Sequence, residues 1–206
     1  MALFSLRNSN GVYLGDVVLE PVFEELERRK TVVYVHPNPS PDTVVHSLEL
    51  SDNLLDFPTD TNRGVAQMHY TNRFERTPNV KYIFSHAGGS IPYLAERFAI
   101  IHEMEFIAGA DLRGAAANMF RRIHWDTALA PSDPVLRMLR DVAGINQVLY
   151  GTDFPYLRPD LAINSKQRIL RSSELNDLQR RTIFGGNASR LFPAIPSFAK
   201  GELKGK

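Results

Sequence analysis

An apolar run near the middle of the chain, Lys81-Tyr82-Ile83-Phe84-Ser85-His86-Ala87-Gly88-Gly89, ends in a histidine and two glycines. Its aromatic and β-branched residues are typical of a strand that is covered on both faces. We therefore place His86 at the carboxyl end of a buried strand, and we expect the glycines to allow a turn with room for a ligand. Ser90 then offers a cap for a following helix. The alternative is a core histidine before a simple turn, because short motifs of this kind are weakly specific.

Three further predicted strands also end in polar residues. Thr31–Val35 runs into His36-Pro37, Ile123–Trp125 runs into Asp126, and Gln147–Tyr150 runs into Gly151-Thr152-Asp153. Proline and glycine stop ladder pairing, so each strand ends close to its polar residue. Four strands that each place a histidine or an aspartate at the same position favour a functional site over four unrelated core residues.

Apolar residues at helical spacing predict helices between these strands. Alternating strands and helices indicate a parallel α/β sheet with right-handed crossovers, in which ligands bind at the carboxyl ends of the strands. The first predicted helix runs from about Val18 to Lys30, with Val18, Val22, Phe23 and Leu26 on its apolar face. The others run from Asp60 or Thr61 to Arg76, from Ile91 to Ile101, from Asp111 to Arg122, from Pro131 to Val142, and from Ser173 to Phe184.

Four segments lack such a period. We expect residues 1–17 to form a loop, residues 38–60 to form a functional loop over the strand ends, and Gly185-Gly186-Asn187 to form a turn. Residues 193–206 have the glycine, proline and lysine content of a loose tail. The sequence therefore predicts one domain over residues 1–192 and a tail over residues 193–206.

Composition excludes several kinds of partner. The 206 residues include 24 Lys and Arg against 23 Asp and Glu, so we expect neither a nucleic-acid partner nor a membrane partner. Cysteine is absent, so a metal here must take nitrogen and oxygen ligands. The chain starts with no secretory signal pattern and contains no run of about 20 apolar residues, and we expect a cytoplasmic protein.

Three motifs in order resemble the amidohydrolase-related decarboxylase family, which includes the aminocarboxymuconate-semialdehyde, γ-resorcylate and 6-methylsalicylate decarboxylases. The motifs are His36-Pro37, Ser85-His86-Ala87-Gly88-Gly89 and Gly151-Thr152-Asp153-Phe154-Pro155. The resemblance extends from about Gly11 to Phe192 and implies a (β/α)₈ barrel of the TIM type with one divalent ion, Zn²⁺ or Mn²⁺.

The resemblance also implies roles for individual residues. The ion is held by the positions matching His36 and Asp153, and the position matching His86 transfers a proton beside it. An arginine spaced like Arg97 reaches a neighbouring subunit's site and binds a substrate carboxylate, although an arginine on a polar helix face is by default only solvated. We expect substrate contacts from Arg97, Asp126 and Phe154, a small carboxylic acid as substrate, and a homodimer or higher homo-oligomer.

The chain departs from the family pattern at its front. Family members begin with His-x-His or Glu-x-His on the first strand, and neither motif occurs in this sequence. The four predicted strands correspond to the fifth to eighth strands of a barrel that typically needs about 250 residues. We therefore expect only the C-terminal half to two-thirds of the barrel, as a truncated chain or a natural half-barrel, with weak metal binding.

Three functions remain open on the sequence. The first is a metal-dependent non-oxidative decarboxylase of a small aromatic or unsaturated carboxylic acid, in which His86 supplies the proton that replaces carbon dioxide. The second is a metal-dependent hydrolase of a lactone or amide, in which His86 activates water. The third is a non-catalytic half-barrel.

Overall fold

The computed structural model describes residues 2–5, 11–39, 50–100 and 112–193. It is an α/β fold with five parallel strands in the order β1-β2-β3-β4-β5. The strands are β1 (Ala2–Ser5), β2 (Val32–His36), β3 (Lys81–Phe84), β4 (His124–Asp126) and β5 (Val148–Leu149). Consecutive strands are therefore neighbours in the sheet, and their carboxyl ends lie along one edge.

Helices connect the strands. They are α1 (Glu20–Arg28), α2 (Asp56–Tyr70), α3 (Arg73–Arg76), α4 (Ala95–Ile100), α5 (Leu112–Arg122), α6 (Asp133–Val142), α7 (Pro159–Arg171), α8 (Asp177–Arg181) and α9 (Asn187–Leu191). Short 3₁₀ turns cover Val17–Leu19, His86–Gly88 and Ile145–Gln147, and a π-helical turn covers Thr182–Gly186.

The two faces of β2 differ in burial. Val33 and Val35 are at most 1% exposed and belong to the main apolar cluster with Phe23, Phe84 and Trp125. Tyr34 and His36 point to the opposite face and are only half-buried. This alternation follows from the two-residue period of a strand, and it sends His36 away from the helix-covered core.

The predicted parallel α/β fold is confirmed, but several predicted elements are wrong. Ala2–Ser5 is a strand that pairs with β2, so residues 1–17 are not a single loop. Helix α2 begins at Asp56, which places Asp60 inside the helix and not at its cap. Val18 and Val22 are 63% and 41% exposed, so only Phe23 and Leu26 of the predicted apolar face of α1 are buried.

Three further corrections concern residues after β3. The sequence prediction missed α7. Gly185-Gly186-Asn187 is not a turn, since the π-helical turn and α9 continue through it. Ser90 caps no helix, because α4 begins only at Ala95 and the Ser90 backbone N–H donates to Asn62 Oδ1 at 3.0 Å.

Two predictions fall partly outside the described residues. The tail of residues 193–206 is described only at Pro193, and residues 40–49 of the predicted 38–60 loop are also outside them. The end of that predicted loop is wrong, because residues 56–60 belong to α2. Within the described part of the chain, no helix has the length and apolar character needed to cross a membrane.

Helix α1 ends in a left-handed residue. Lys30 has φ 50°, and its N–H donates to Glu27 O at 3.0 Å while the Thr31 N–H donates to Leu26 O at 3.1 Å. This pair of bonds is a Schellman motif, in which glycine is the usual left-handed residue.

Candidate functional site

Three side chains from different strand ends meet at the carboxyl edge of the sheet. His36 ends β2, His86 follows β3, and Asp153 follows β5. His36 Nε2 lies 3.3 Å from Asp153 Oδ1, and His86 Nε2 lies 3.6 Å from the same oxygen. The predicted convergence of these residues is confirmed, because their candidate ligand atoms all lie within 4.8 Å of one another.

The ring of His36 is oriented by its own neighbour. Its Nδ1 lies 2.7 Å from the carbonyl oxygen of Pro37 and donates a hydrogen there. With Nδ1 engaged in this way, Nε2 is the ring nitrogen that faces Asp153 Oδ1, 3.3 Å away, and it is the atom that would bind a metal. The Pro37 that ends β2 therefore also sets the ring of its last residue.

The loop that carries His86 is tightly wound. His86 and Ala87 have φ values of 53° and 56°, in the left-handed region that residues with a Cβ rarely adopt. A Cβ on Gly88 would lie 2.1 Å from the Trp125 ring, and one on Gly89 would lie 2.6 Å from Pro58 O. Both glycines are therefore required by close packing, which explains the sequence motif.

The backbone at Asp153 is left-handed, like that at His86. Its φ is 63°, so two of the three converging residues have left-handed backbone. Such residues cost about 1–3 kcal/mol each and persist where the surrounding structure fixes them, often at functional sites. The side chains of His36, His86 and Asp153 are 22%, 8% and 14% exposed, so the group is mostly buried and keeps some contact with solvent.

The donor set fits a divalent ion. Two imidazole nitrogens and one carboxylate oxygen suit a borderline metal such as Zn²⁺ or Mn²⁺. His86 Nε2 is buried and has no hydrogen-bond partner among the described residues, which leaves a lone polar atom directed into the group. Burial lowers the pKa of His86, an effect opposed by the nearby charges of Asp126 and Asp153.

Asp126 occupies a different place from the one expected for a substrate-binding residue. It is 3% exposed, and its carboxylate accepts hydrogen bonds from the Tyr34 hydroxyl and from the backbone N–H groups of His86 and Ala128. Burial raises the pKa of Asp126, and these hydrogen bonds oppose the rise. With both oxygens engaged, Asp126 lies beneath the site and presents no free oxygen to a substrate.

The other two expected substrate contacts are exposed. Arg97 lies on the exposed side of α4, and Phe154, which follows Asp153 directly, is 65% exposed. Tyr34 is a residue of this region that the sequence reasoning missed. Its position two residues before His36 places both rings on one strand face, 6.4 Å apart, and the two-residue period was the signal that could have found it.

A cavity of about 800 Å³ lies apart from these residues. Its lining comes from the loop after β4, the start of α6, and α7, and among the described residues it includes none of His36, His86 and Asp153. Leu129, Leu157 and Leu161 supply apolar lining, and Arg168 and Arg171 lie at its side.

This chain is similar to known proteins over most of its length. The sequence profile of the family described as Amidohydrolase matches residues 4–194. The 6-methylsalicylic acid decarboxylase of Penicillium expansum is 31% identical over 199 residues, which cover 95% of this chain and 60% of that protein. The 2-amino-3-carboxymuconate-6-semialdehyde decarboxylase of Dictyostelium discoideum is 29% identical over 194 residues, which cover 92% of this chain and 52% of that protein.

A solved structure supports the fold. The 5-carboxyvanillate decarboxylase of Novosphingobium aromaticivorans, complexed with manganese and a nitrobenzoic acid, matches with a TM-score of 0.80 at 18% identity, over 93% of this chain and 55% of that one. This chain thus spans between about half and 60% of the length of the relatives described here.

Proposed function

Because this chain belongs to the amidohydrolase family, whose profile matches residues 4–194, we propose that it acts as a metal-dependent non-oxidative decarboxylase of a small aromatic or unsaturated carboxylic acid. The observation that carries the proposal is the meeting of candidate ligand atoms of His36, His86 and Asp153 within 4.8 Å. The decarboxylase names of the relatives favour this reaction over hydrolysis.

The five parallel strands are proposed to be part of a (β/α)₈ barrel. The supporting observations are the strand order, the site at the carboxyl edge and the match to a decarboxylase structure at a TM-score of 0.80. In this arrangement β1 is the barrel strand that precedes the four strands predicted from the sequence. Residues 1–192 would form one domain.

His36 and Asp153 would hold the ion. A bound divalent ion supplies Lewis-acid chemistry and orients an oxygen of the substrate beside its carboxylate. Manganese is present in the structural relative, and zinc suits the same imidazole and carboxylate donors. With few protein ligands on this chain, we expect the ion to bind weakly.

His86 would perform the proton transfer. Its Nε2 gives a proton to the carbon that carries the carboxylate, and the new C–H bond takes a π electron pair of the substrate. The bond from that carbon to the carboxylate then breaks, its electron pair restores the π bond, and carbon dioxide leaves. His86 Nε2 lies 3.6 Å from Asp153 Oδ1, so the ring borders the group that would hold the ion, which suits a general acid. His86 then recovers its proton from solvent.

Arg97 and Phe154 are proposed as substrate contacts. The exposed guanidinium of Arg97 is free to bind a carboxylate in the site of a second copy, which requires the homodimer or higher oligomer expected from the sequence. The exposed ring of Phe154 lies next to Asp153 in the chain and can pack against an aromatic substrate.

The test combines metal content with turnover. Plasma mass spectrometry of the purified chain, before and after addition of Zn²⁺ or Mn²⁺, should find close to one ion per chain after loading. The loaded protein should release carbon dioxide from 6-methylsalicylic acid or a related hydroxybenzoic acid, followed by substrate absorbance. Metal uptake with hydrolysis of a lactone or amide would support the hydrolase reading, and no metal uptake would support a non-catalytic half-barrel.

A further inference from the structure

Asp126 joins three strands at the floor of the site. Its Oδ2 accepts the Tyr34 hydroxyl at 2.6 Å, and its Oδ1 accepts the backbone N–H groups of His86 and Ala128, each at 2.9 Å. Tyr34 belongs to β2, Asp126 ends β4, and His86 follows β3. One buried carboxylate therefore links the strand that carries His36 to the loop that carries His86.

The His86 loop is attached to its surroundings at both ends. The Ser85 N–H donates to Val35 O of β2 at 3.1 Å, and the Ser90 N–H donates to Asn62 Oδ1 at 3.0 Å. Between these ends, the bonds from the Gly88 N–H to Ser85 O at 2.8 Å and from the Gly89 N–H to His86 O at 3.0 Å close the turn but do not tie His86 itself to a neighbouring strand. The bond from the His86 N–H to Asp126 ties the first left-handed residue of the turn to β4.

The carboxylate of Asp126 is itself confined. A Cβ on Gly151 would lie 3.0 Å from both Cγ and Oδ2 of Asp126, so the backbone that leads to Asp153 packs directly on this side chain. On the other side, the Tyr34 ring lies 6.4 Å from the His36 ring at an angle of 21°. Asp126 is thus linked to all three converging residues. It accepts the His86 backbone N–H, packs on the Gly151 backbone that leads to Asp153, and accepts the hydroxyl of Tyr34, whose ring neighbours that of His36.

We propose that Asp126 is a positioning residue that sets the place of the His86 ring relative to His36 and Asp153, without touching substrate or metal. The inference deepens the proposed decarboxylase function and rests on it for its catalytic consequence. The claim that Asp126 sets the position of the His86 ring does not depend on that function. The competing explanation is that Asp126 only stabilises the fold, as other buried hydrogen-bonded side chains do.

The variants separate these explanations. Asp126→Ala removes all three hydrogen bonds. Asp126→Asn keeps a carbonyl oxygen for the two N–H groups and offers an amide N–H to the Tyr34 oxygen, so it should restore the geometry. Thr77→Val is the matched control, because Thr77 is 2% exposed and bonds to Tyr82 through its hydroxyl at 2.7 Å, before β3 and away from the site.

The first measurement uses metal-free full-length protein. Nitrogen–proton spectra of the histidine rings should resolve the six histidines. In Asp126→Ala the His86 ring signals should move or broaden while those of His124 keep their positions, and in Asp126→Asn and Thr77→Val the His86 signals should stay at their wild-type positions. Urea unfolding of each variant gives the loss of stability to compare.

The second measurement uses the loaded protein. Because a displacement of about 1 Å at a reacting group can cost about 10²-fold in rate, kcat of Asp126→Ala should fall by about 10²-fold with KM nearly unchanged. Asp126→Asn should recover most of that loss. If the wild type shows no decarboxylation, the proposed function fails, and the ring spectra still decide the positioning role.

Two results would overturn the inference. Unchanged His86 signals in Asp126→Ala would show that the carboxylate does not place the ring, and equal changes in Thr77→Val would show a general effect of lost stability. If Asp126→Ala does not fold, Tyr34→Phe decides the matter, because it removes only the 2.6 Å bond to Oδ2. A shift of the His86 signals in Tyr34→Phe supports the positioning role, and their constancy refutes it.

Discussion

His36 and His86 lie side by side, with ring centroids 4.8 Å apart, yet they are held in opposite ways. His36 sits on regular strand backbone and donates from Nδ1 to a carbonyl, as metal-binding histidines commonly do. His86 sits on left-handed backbone, and its Nε2 has no hydrogen-bond partner in the described part of the chain. This difference is the one we expect if His36 binds an ion and His86 transfers a proton.

The two roles predict different losses on substitution. His36→Ala should remove the bound ion and the activity with it, since it deletes a ligand. His86→Ala should keep nearly full metal content and lower kcat by about 10²–10⁴, the usual range for general acid–base catalysis. Bound metal per chain and decarboxylation rate are measured for both variants and the wild type.

A matched variant at a buried histidine outside the converging group, His124→Asn, should keep both metal and turnover. If His86→Ala loses metal as completely as His36→Ala, then His86 is a ligand. The site would then resemble a hydrolytic one, and the decarboxylation mechanism would lose its proton donor.

The lowered pKa of His124 predicts that the protein loses stability in mild acid. Burial lowers the pKa of His124 to about 4, helped by Lys81 and Arg190 and opposed by a hydrogen bond to Tyr82 O. Between pH 6.5 and 4 the unfolded chain therefore binds a proton that the folded protein does not, so stability falls as the pH falls through this range. From pH 7 to pH 5 the loss should be about 2 kcal/mol.

Urea unfolding at pH 7 and pH 5 measures that loss in the wild type and in His124→Asn. His69 and His86 are also buried with lowered pKa values, and both are present in each protein, so their contributions cancel in the comparison. The free energy of unfolding of His124→Asn should depend less on pH. Equal pH dependence in the two proteins would contradict the assignment.

At the level of elements, the end of α1 offers a gain in stability. Lys30 occupies the left-handed position of a Schellman motif with φ 50° and is exposed. Lys30→Gly should raise the free energy of unfolding by about 1 kcal/mol, because glycine adopts this conformation without a Cβ clash. Urea unfolding measures the change.

Lys30→Ala is the control for the lost charge, since it removes the ammonium and keeps the Cβ. It should give no gain. A gain of the same size in Lys30→Ala would show that the charge, and not the backbone conformation, is responsible.

The strands that could be predicted are those with continuous buried apolar runs. Val32–His36 and Lys81–Phe84 lie in the centre of the sheet, and their β-branched and aromatic residues left little ambiguity. Ala2–Ser5 was missed because a four-residue strand followed by polar residues carries no period of its own and is fixed by pairing with β2. Helix α7 was missed because its polar positions outnumber the two residues that it buries, Ser165 and Ile169.

The site could be predicted because a parallel sheet places the ends of its strands together. His36, His86 and Asp153 each follow a predictable strand, so their convergence required only the topology. The role of Asp126 could not be predicted, because a carboxylate at a strand end looks the same in sequence whether it faces the cavity or turns under the next loop. Its three donors come from β2, the His86 loop and Ala128, and only the folded chain brings them together.

For the molecule as a whole, large apolar side chains are exposed after β5. Phe154, Tyr156 and Ile163 are 65%, 85% and 61% exposed, and the loop and helix that carry them border the cavity of about 800 Å³. We infer from this exposed apolar surface that the chain contacts a second copy of itself. We expect at least two chains per particle by light scattering.

Ile163→Lys should lower the mass toward that of one chain, because a charge would then lie in the contact. Leu178→Lys is the control, since Leu178 is 74% exposed on α8, a different helix. A wild-type chain that is a single copy at every concentration tested, without aggregation, would contradict the expectation.

The packing of Gly88 against Trp125 has an optical consequence. Trp125 is the chain's single tryptophan, it is fully buried, and its Nε1 finds no hydrogen-bond partner among the described residues. Indole emission depends on the polarity and the quenching groups around the ring, and here Gly88, in the loop that carries His86, packs closely against the ring. Intrinsic fluorescence should therefore report on that loop without a label, so the binding of an added ion and any movement of the loop can be followed in real time from the wild-type chain.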